Sequence, residues 1–153
     1  MRSPPSLPRR LALLGALLAL AGCDRGSLEA DREALRRGLQ GDERVAAALR
    51  KVDDLAVRGK PQEAAALLAA EVRPASEQSM AQVRPLRVGS PWGQERLQEL
   101  RRLVDDRAAS LDRYEAALKS ELIERVVTVL EEQKSLDQRG IALAEALGRL
   151  PSP

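Results

Sequence analysis

The sequence predicts an all-α fold, a small helical bundle with two long C-terminal helices, and three observations carry that expectation. Ala, Leu, Arg, Glu and Gln dominate while β-branched residues are few, so the common residues are those that lose least on entering a helix. Apolar residues recur at three-to-four spacing through much of the chain, the period of one helix face. No proline or glycine interrupts the stretch from Gln94 to Arg139.

The elements follow in order. Met1 to Arg10 carries Arg2, Arg9 and Arg10 and no acid, and Leu11 to Leu20 (LALLGALLAL) is wholly apolar. As a helix that run is roughly 15 Å long, short of the ~30 Å hydrocarbon core of a bilayer. Ser27 is placed to cap a first helix through about Leu39, which Gly41 would end. Asp42 is placed to cap a second, reaching about Arg58, with Val45, Leu49, Val52 and Leu55–Ala56 on one face. Gly59 closes it, and Pro61 suits the first position of a third helix to about Val72. Pro74, Pro85 and Pro91 predict a poorly helical connector over 73–93, with one short turn around Ser76–Val83.

Beyond the connector, Ser90 supplies a cap and Pro91 a first-turn residue for the long helical region 94–150. Its first apolar series is Leu97, Leu100, Val104, a slot at Arg107–Ala108, then Leu111, Tyr114 and Leu118. The second runs Leu122, Val126, Val129, Gln133, Leu136, Gly140, Leu143, Leu147 and Leu150. Two accounts fit. Either a turn near Lys119-Ser120-Glu121, with Ser120 capping the new helix, folds two helices together, or one coiled-coil-like helix packs on a partner. The hairpin is preferred because it buries the apolar stripe within one chain.

Leu20-Ala21-Gly22-Cys23 closes the N-terminal apolar run behind Arg9-Arg10. Charge, apolar length, small residues and cysteine fall in the order of a lipobox, and residues 1–23 resemble the signal segment of bacterial lipoproteins. The resemblance implies cleavage between Gly22 and Cys23, diacylglycerol on the Cys23 thiol and fatty-acyl groups such as palmitate as the anchor. It divides the chain into a signal peptide (1–22), a lipidated tether (23–27) and one helical domain (28–153). It places the protein in the cell envelope, on a membrane face towards the periplasm or exterior. Asp24 fits the inner-membrane retention pattern of enteric bacteria.

Removing residues 1–22 changes the charge argument. The whole chain holds 25 basic and 23 acidic residues, net +2; without the three N-terminal arginines, 22 face 23, net −1. A nucleic-acid role, which wants a clustered basic face, loses its global support. With no histidine, and with Cys23 as the single cysteine given to lipid, the chain lacks a neutral-pH proton shuttle, a histidine-activated nucleophile and the usual zinc ligands. No cofactor, metal or catalytic role is expected.

Gly59-Lys60-Pro61-Gln62-Glu63-Ala64 and Leu68 resemble the loop and second helix of a tetratricopeptide repeat. There is no second copy, and an ordinary helical hairpin is preferred. Asp53-Asp54, Asp105-Asp106 and Glu131-Glu132 are adjacent carboxylates about 100° apart on a helix, read as solvated, with Arg101 and Arg102 as partners for the middle pair. Glu115–Lys119 and Glu121–Arg125 have the favourable acid-first spacing. Trp92 is either a plug at the bundle end or a partner contact. Arg107 and Gln133, polar at seam positions, set register, mark a groove or rotate outward. The expected function is an envelope interaction or scaffold module that binds a protein partner or itself. The alternative is a small-molecule or lipid-binding module with a cavity among alanine-rich helices.

Overall fold

The computed structural model describes the backbone of residues 12–120 and 122–151, and side chains from Ser27 onward. It is helical throughout: α1 Ala12–Val57, α2 Pro61–Leu67, α3 Arg73–Val83, α4 Pro91–Ser120 and α5 Ile123–Gly148. A π-helical turn, Leu68–Val72, joins α2 to α3, so residues 61–83 act as one rod. The four rods alternate in direction. Asp31 meets Ser90, Asp42 meets Arg107 and Asp53 meets Tyr114, so α1 and α4 run parallel. Arg113 reaches Glu132 and Asp106 reaches Arg139, which sets α5 antiparallel to α4.

The predicted hairpin forms, closed through Ser120. Its hydroxyl donates to the Ala117 carbonyl at 2.8 Å and accepts from the Leu122 amide at 3.3 Å. Ser120 therefore ends α4, and Leu122 rather than Ser120 is the cap residue of α5. The seam positions Leu97, Leu100, Val104, Leu111, Tyr114 and Leu118 are buried, as are Val129, Leu136, Leu143 and Leu147. Leu122, assigned to that seam, is instead exposed because it sits in the turn.

Two segmentation expectations fail, each at a residue read as a helix breaker. α1 runs unbroken through Ser27, Gly41 and Asp42. Gly41 sits within α1 where α3 packs closely: an added Cβ would lie 3.0 Å from Ser79 Oγ and 3.1 Å from Gln82 Oε1, so the missing side chain serves helix contact instead of ending the helix. The connector expected over 73–93 shrinks to residues 84–90, since α3 occupies its first half. Pro74 cannot donate to the carbonyl four residues back, and its ring would crowd it. The π turn just ahead widens the backbone there, with the Arg73 amide donating to the Leu68 carbonyl, five residues back.

The apolar core comes in two parts strung along the same rods. One gathers Val45, Leu49, Val52, Leu68, Val72, Leu111, Tyr114 and Leu118. The other gathers Leu35, Leu39, Val83, Leu97, Leu100, Leu103, Leu136 and Leu147. Polar side chains lie between them.

Candidate functional site

That polar layer is built from three helices. Arg107 on α4 is 2 % exposed and grips Asp42 on α1 with both arms of its fork, Nε to Oδ1 at 2.8 Å and Nη2 to Oδ2 at 3.1 Å. Its Nη1 donates to Gln133 Oε1 at 3.4 Å, and Gln133 Nε2 donates to Ser110 Oγ at 2.7 Å. Ser110 in turn donates to the Arg107 carbonyl at 2.6 Å, closing the ring. Asp137 is a second charge partner for Arg107 at 3.0 Å, though its Oδ1 accepts no aligned hydrogen bond. Burial raises the Asp42 carboxyl above its ordinary range, against the opposing pull of Arg107. Both Arg107 and Gln133 thus point inward, and their work is internal pairing and register.

A second buried carboxylate fixes the end of the bundle nearest residue 27. Asp31 accepts from the Gly89 amide at 2.9 Å, the Ser90 amide at 2.8 Å and the Ser90 hydroxyl at 2.6 Å. Ser90 Oγ then accepts from the Gly93 amide at 2.9 Å, the N-cap bond expected of it. Burial alone would raise the Asp31 carboxyl, but the Ser90 and Gly89 hydrogen bonds outweigh it and hold the group below its ordinary value. Gly93 is required here, since a Cβ would meet Asp31 Oδ2 at 2.5 Å. Trp92, beside this clasp, is half-buried and packs on the Leu35–Leu97 cluster with Leu86 and Val88.

The adjacent carboxylates do not behave as pairs. Asp53 accepts from the Tyr114 hydroxyl at 2.7 Å, and burial raises both groups above their ordinary values. That corrects the reading of Asp53 as solvated; Asp54 is exposed. Asp106 pairs with Arg139 at 2.7 Å, not with Arg102, because the hairpin brings α5 alongside. Arg101 is committed elsewhere, to the Arg84 and Leu86 carbonyls at 3.2 and 3.0 Å. Glu132 pairs with Arg113 across the same hairpin. Glu115 meets both Lys119 and Arg73, which lower its pKa. Glu121 lies outside the described residues, and with it the Glu121–Arg125 pair.

Two surface features remain after these internal pairings. At the end formed by the α1 C-terminus and the α4–α5 turn, Val57, Leu122, Ile123 and Val127 stand exposed, Val57 by 74 % and Ile123 by 77 %. Their neighbours Leu55, Ala56, Val126 and Leu130 pack on the Tyr114 cluster, which holds these exposed residues on a fixed base. The other feature is a groove of about 670 Å³ between α3, the 84–90 loop and α4. Among the described residues, no group of three or more His, Cys, Asp or Glu is placed to hold a metal ion.

Cys23 lies outside the described side chains, and the lipobox expectation with it. Among the described residues, no helix is long and apolar enough to cross a membrane. Compared with family models, curated proteins and solved structures, the chain matches none. Asp31 and Asp42 were not read as buried anchors. Their signal was present, because both fall on the stripe Leu28, Leu35, Leu39, Val45, Leu49 once α1 is taken as one helix.

Proposed function

We propose that this chain is a lipid-anchored interaction module of the bacterial cell envelope, a non-enzymatic scaffold that holds a partner-binding tip away from a membrane. One observation carries the reading: among the described residues, four of the five large exposed apolar side chains, Val57, Leu122, Ile123 and Val127, gather at the end remote from the Cys23 anchor. An apolar patch on a rigid base is the usual form of a protein contact site. Fatty-acyl groups on Cys23 would hold the other end at a membrane, stably where two or more chains are attached. The buried carboxylates Asp31 and Asp42 and the half-buried Asp53 are each engaged by a structural donor, which leaves them poor candidates for proton transfer.

The test is made in the bacterium that encodes the chain. Metabolic labelling with a palmitate analogue should mark the wild type and spare Cys23→Ser, which should also remain uncut. Photo-crosslinking from position 127 should capture a discrete protein species, another polypeptide or a second copy. Ile123→Glu should abolish that capture without changing the thermal midpoint. Labelling of the Cys23→Ser chain at wild-type levels would sink the anchor. Capture unaffected by Ile123→Glu would sink the tip.

A further inference from the structure

The groove between α3 and α4 has a composition that the tip does not share. Its floor is apolar, made by Met80, Val83, Leu97 and Val104, with Leu86 and Val88 on the loop side. Its rim carries Arg84, Arg87 and Arg101. Three arginines elsewhere on the bundle are matched by carboxylates: Arg96 by Glu95 and Glu99, Arg73 by Asp112 and Glu115, Arg139 by Asp106. The three rim arginines are not. Arg101 donates to the Arg84 and Leu86 carbonyls, Arg87 to the Pro85 and Leu86 carbonyls, and Arg84 reaches only Met80 Sδ at 3.8 Å. Asp105 also lines the groove, so three positive charges face one negative one.

We infer that this groove binds an anionic phospholipid, with an acyl chain along the apolar floor and the phosphate against Arg84, Arg87 and Arg101. Charge complementarity decides the occupant. An uncompensated guanidinium cluster favours phosphate, which it meets in forked geometry. An apolar floor beside it favours an amphiphile over a free anion. The volume lies within the roughly 300–1,000 Å³ of ordinary ligand pockets. Position agrees as well. Gly89 and Ser90 of the groove-side loop are bonded to Asp31, eight residues after Cys23, so the groove opens at the end of the bundle that carries the anchor. This last point rests on the lipid-anchor reading; the chemistry of the groove does not.

The experiment uses the chain from residue 23 onward, which retains both apolar clusters, carrying Cys23→Ser, so that vesicle binding runs neither through acyl groups on that residue nor through the apolar run Leu11–Leu20 and its flanking arginines. Flotation is measured with vesicles of phosphatidylglycerol and of phosphatidylcholine. The phosphatidylglycerol vesicles should bind more tightly, and Arg84→Gln/Arg87→Gln should weaken that binding by about thirtyfold, since two basic residues at an anionic surface together contribute roughly one and a half powers of ten. Both side chains are exposed, and circular dichroism checks that the variant folds. If it does not, Arg87→Glu alone takes its place with a loss in the same direction. Trp92, the single tryptophan, packs on the same apolar cluster as the groove residues Leu86 and Val88 and so reports on an acyl chain beside them at short range. Phosphatidylglycerol brominated on its acyl chain should quench it, and the arginine variant should relieve the quenching. Equal binding by the variant overturns the site. So does binding without quenching, which is adsorption of the surface, and so does full competition by inorganic phosphate, which is a free-anion site. Palmitate labelling in cells reads the anchor separately: vesicle binding with no labelling defeats the anchor alone, and labelling with no groove-dependent binding defeats the groove alone.

Discussion

Arg107 shows how far a single buried charge can commit a helical bundle. Its fork closes on Asp42, and Gln133 and Ser110 complete the ring, so removing one partner strands the other in a dry interior. Arg107→Leu should therefore destabilise the fold by about 3–5 kcal/mol in urea titration. The double replacement Asp42→Leu/Arg107→Leu should recover part of that loss, because it removes the stranded Asp42 carboxylate, while the half-buried Asp137 keeps Arg50 at 4.0 Å as a charge partner. A double variant no more stable than Arg107→Leu would show that the layer does more than satisfy its own charges. Asp31 acts differently, because its pKa is lowered in the fold. Its contribution is present above the ordinary carboxylate value of 3.8 and is lost as pH falls below it, through the lower folded value. Asp31→Asn should cost about 2 kcal/mol near neutral pH, the scale of hydrogen bonds to a buried charged group. The gap between wild type and variant should close in acid. Asp42 and Asp53, raised by burial, run the opposite way, but they are common to both proteins and cancel in the comparison. A gap constant down to about pH 2.5 would contradict the lowered pKa.

At the scale of the element, glycine sets how closely the helices approach. Gly38 on α1 lies where an added Cβ would sit 2.9 Å from Leu100 Cδ2 and 3.0 Å from Leu86 Cδ1. Gly38→Val should lose about 1–3 kcal/mol to overpacking, more than its better helix propensity returns. Gly148, at the end of α5, has nothing within 4 Å of that position, so Gly148→Ala should hold or slightly raise the thermal midpoint. Similar losses at both sites would mean that packing distance is not what distinguishes them. The same two contexts explain how much was legible in the sequence. The C-terminal hairpin is readable because Leu97 to Leu118 and Val129 to Leu147 keep helical spacing, with no proline or glycine from Gln94 to Arg139, and burial follows that spacing closely. The first half was cut into too many pieces because Gly41 and Pro74 act as breakers only in isolation. A glycine pressed against Ser79, and a proline preceded by a π turn, both remain helical when tertiary contacts favour it. Asp42, a cap in sequence terms, sits inside α1 for the same reason and accepts from Arg107 instead. The groove left no periodic trace, since its rim arginines come from the 84–90 loop and α4 and meet only in space.

At the scale of the whole molecule, the two apolar clusters raise the question of whether they unfold separately. Each rod passes through both of them: α1 contributes Leu35 and Leu39 to one and Val45, Leu49 and Val52 to the other, and α4 and α5 do likewise. Melting one cluster would have to break α1, α4 and α5 at the Asp42–Arg107–Gln133 layer, exposing a charge that is now buried on all sides. That layer therefore couples the clusters instead of dividing them, and unfolding should be all-or-none, as for most domains of this size. The chain supplies its own probes. Trp92 lies on the Leu35–Leu97 cluster and Tyr114 is inside the other, and the sequence holds no second residue of either kind and no phenylalanine. Denaturation followed by Trp92 fluorescence and by Tyr114 absorbance should give one midpoint and one slope, coincident with the helical signal. Separate transitions would show that the polar layer is a boundary between two folding units. Arg107→Leu sharpens the test: it should lower both midpoints together, because the two probes report one cooperative structure hinged on the same ion pair.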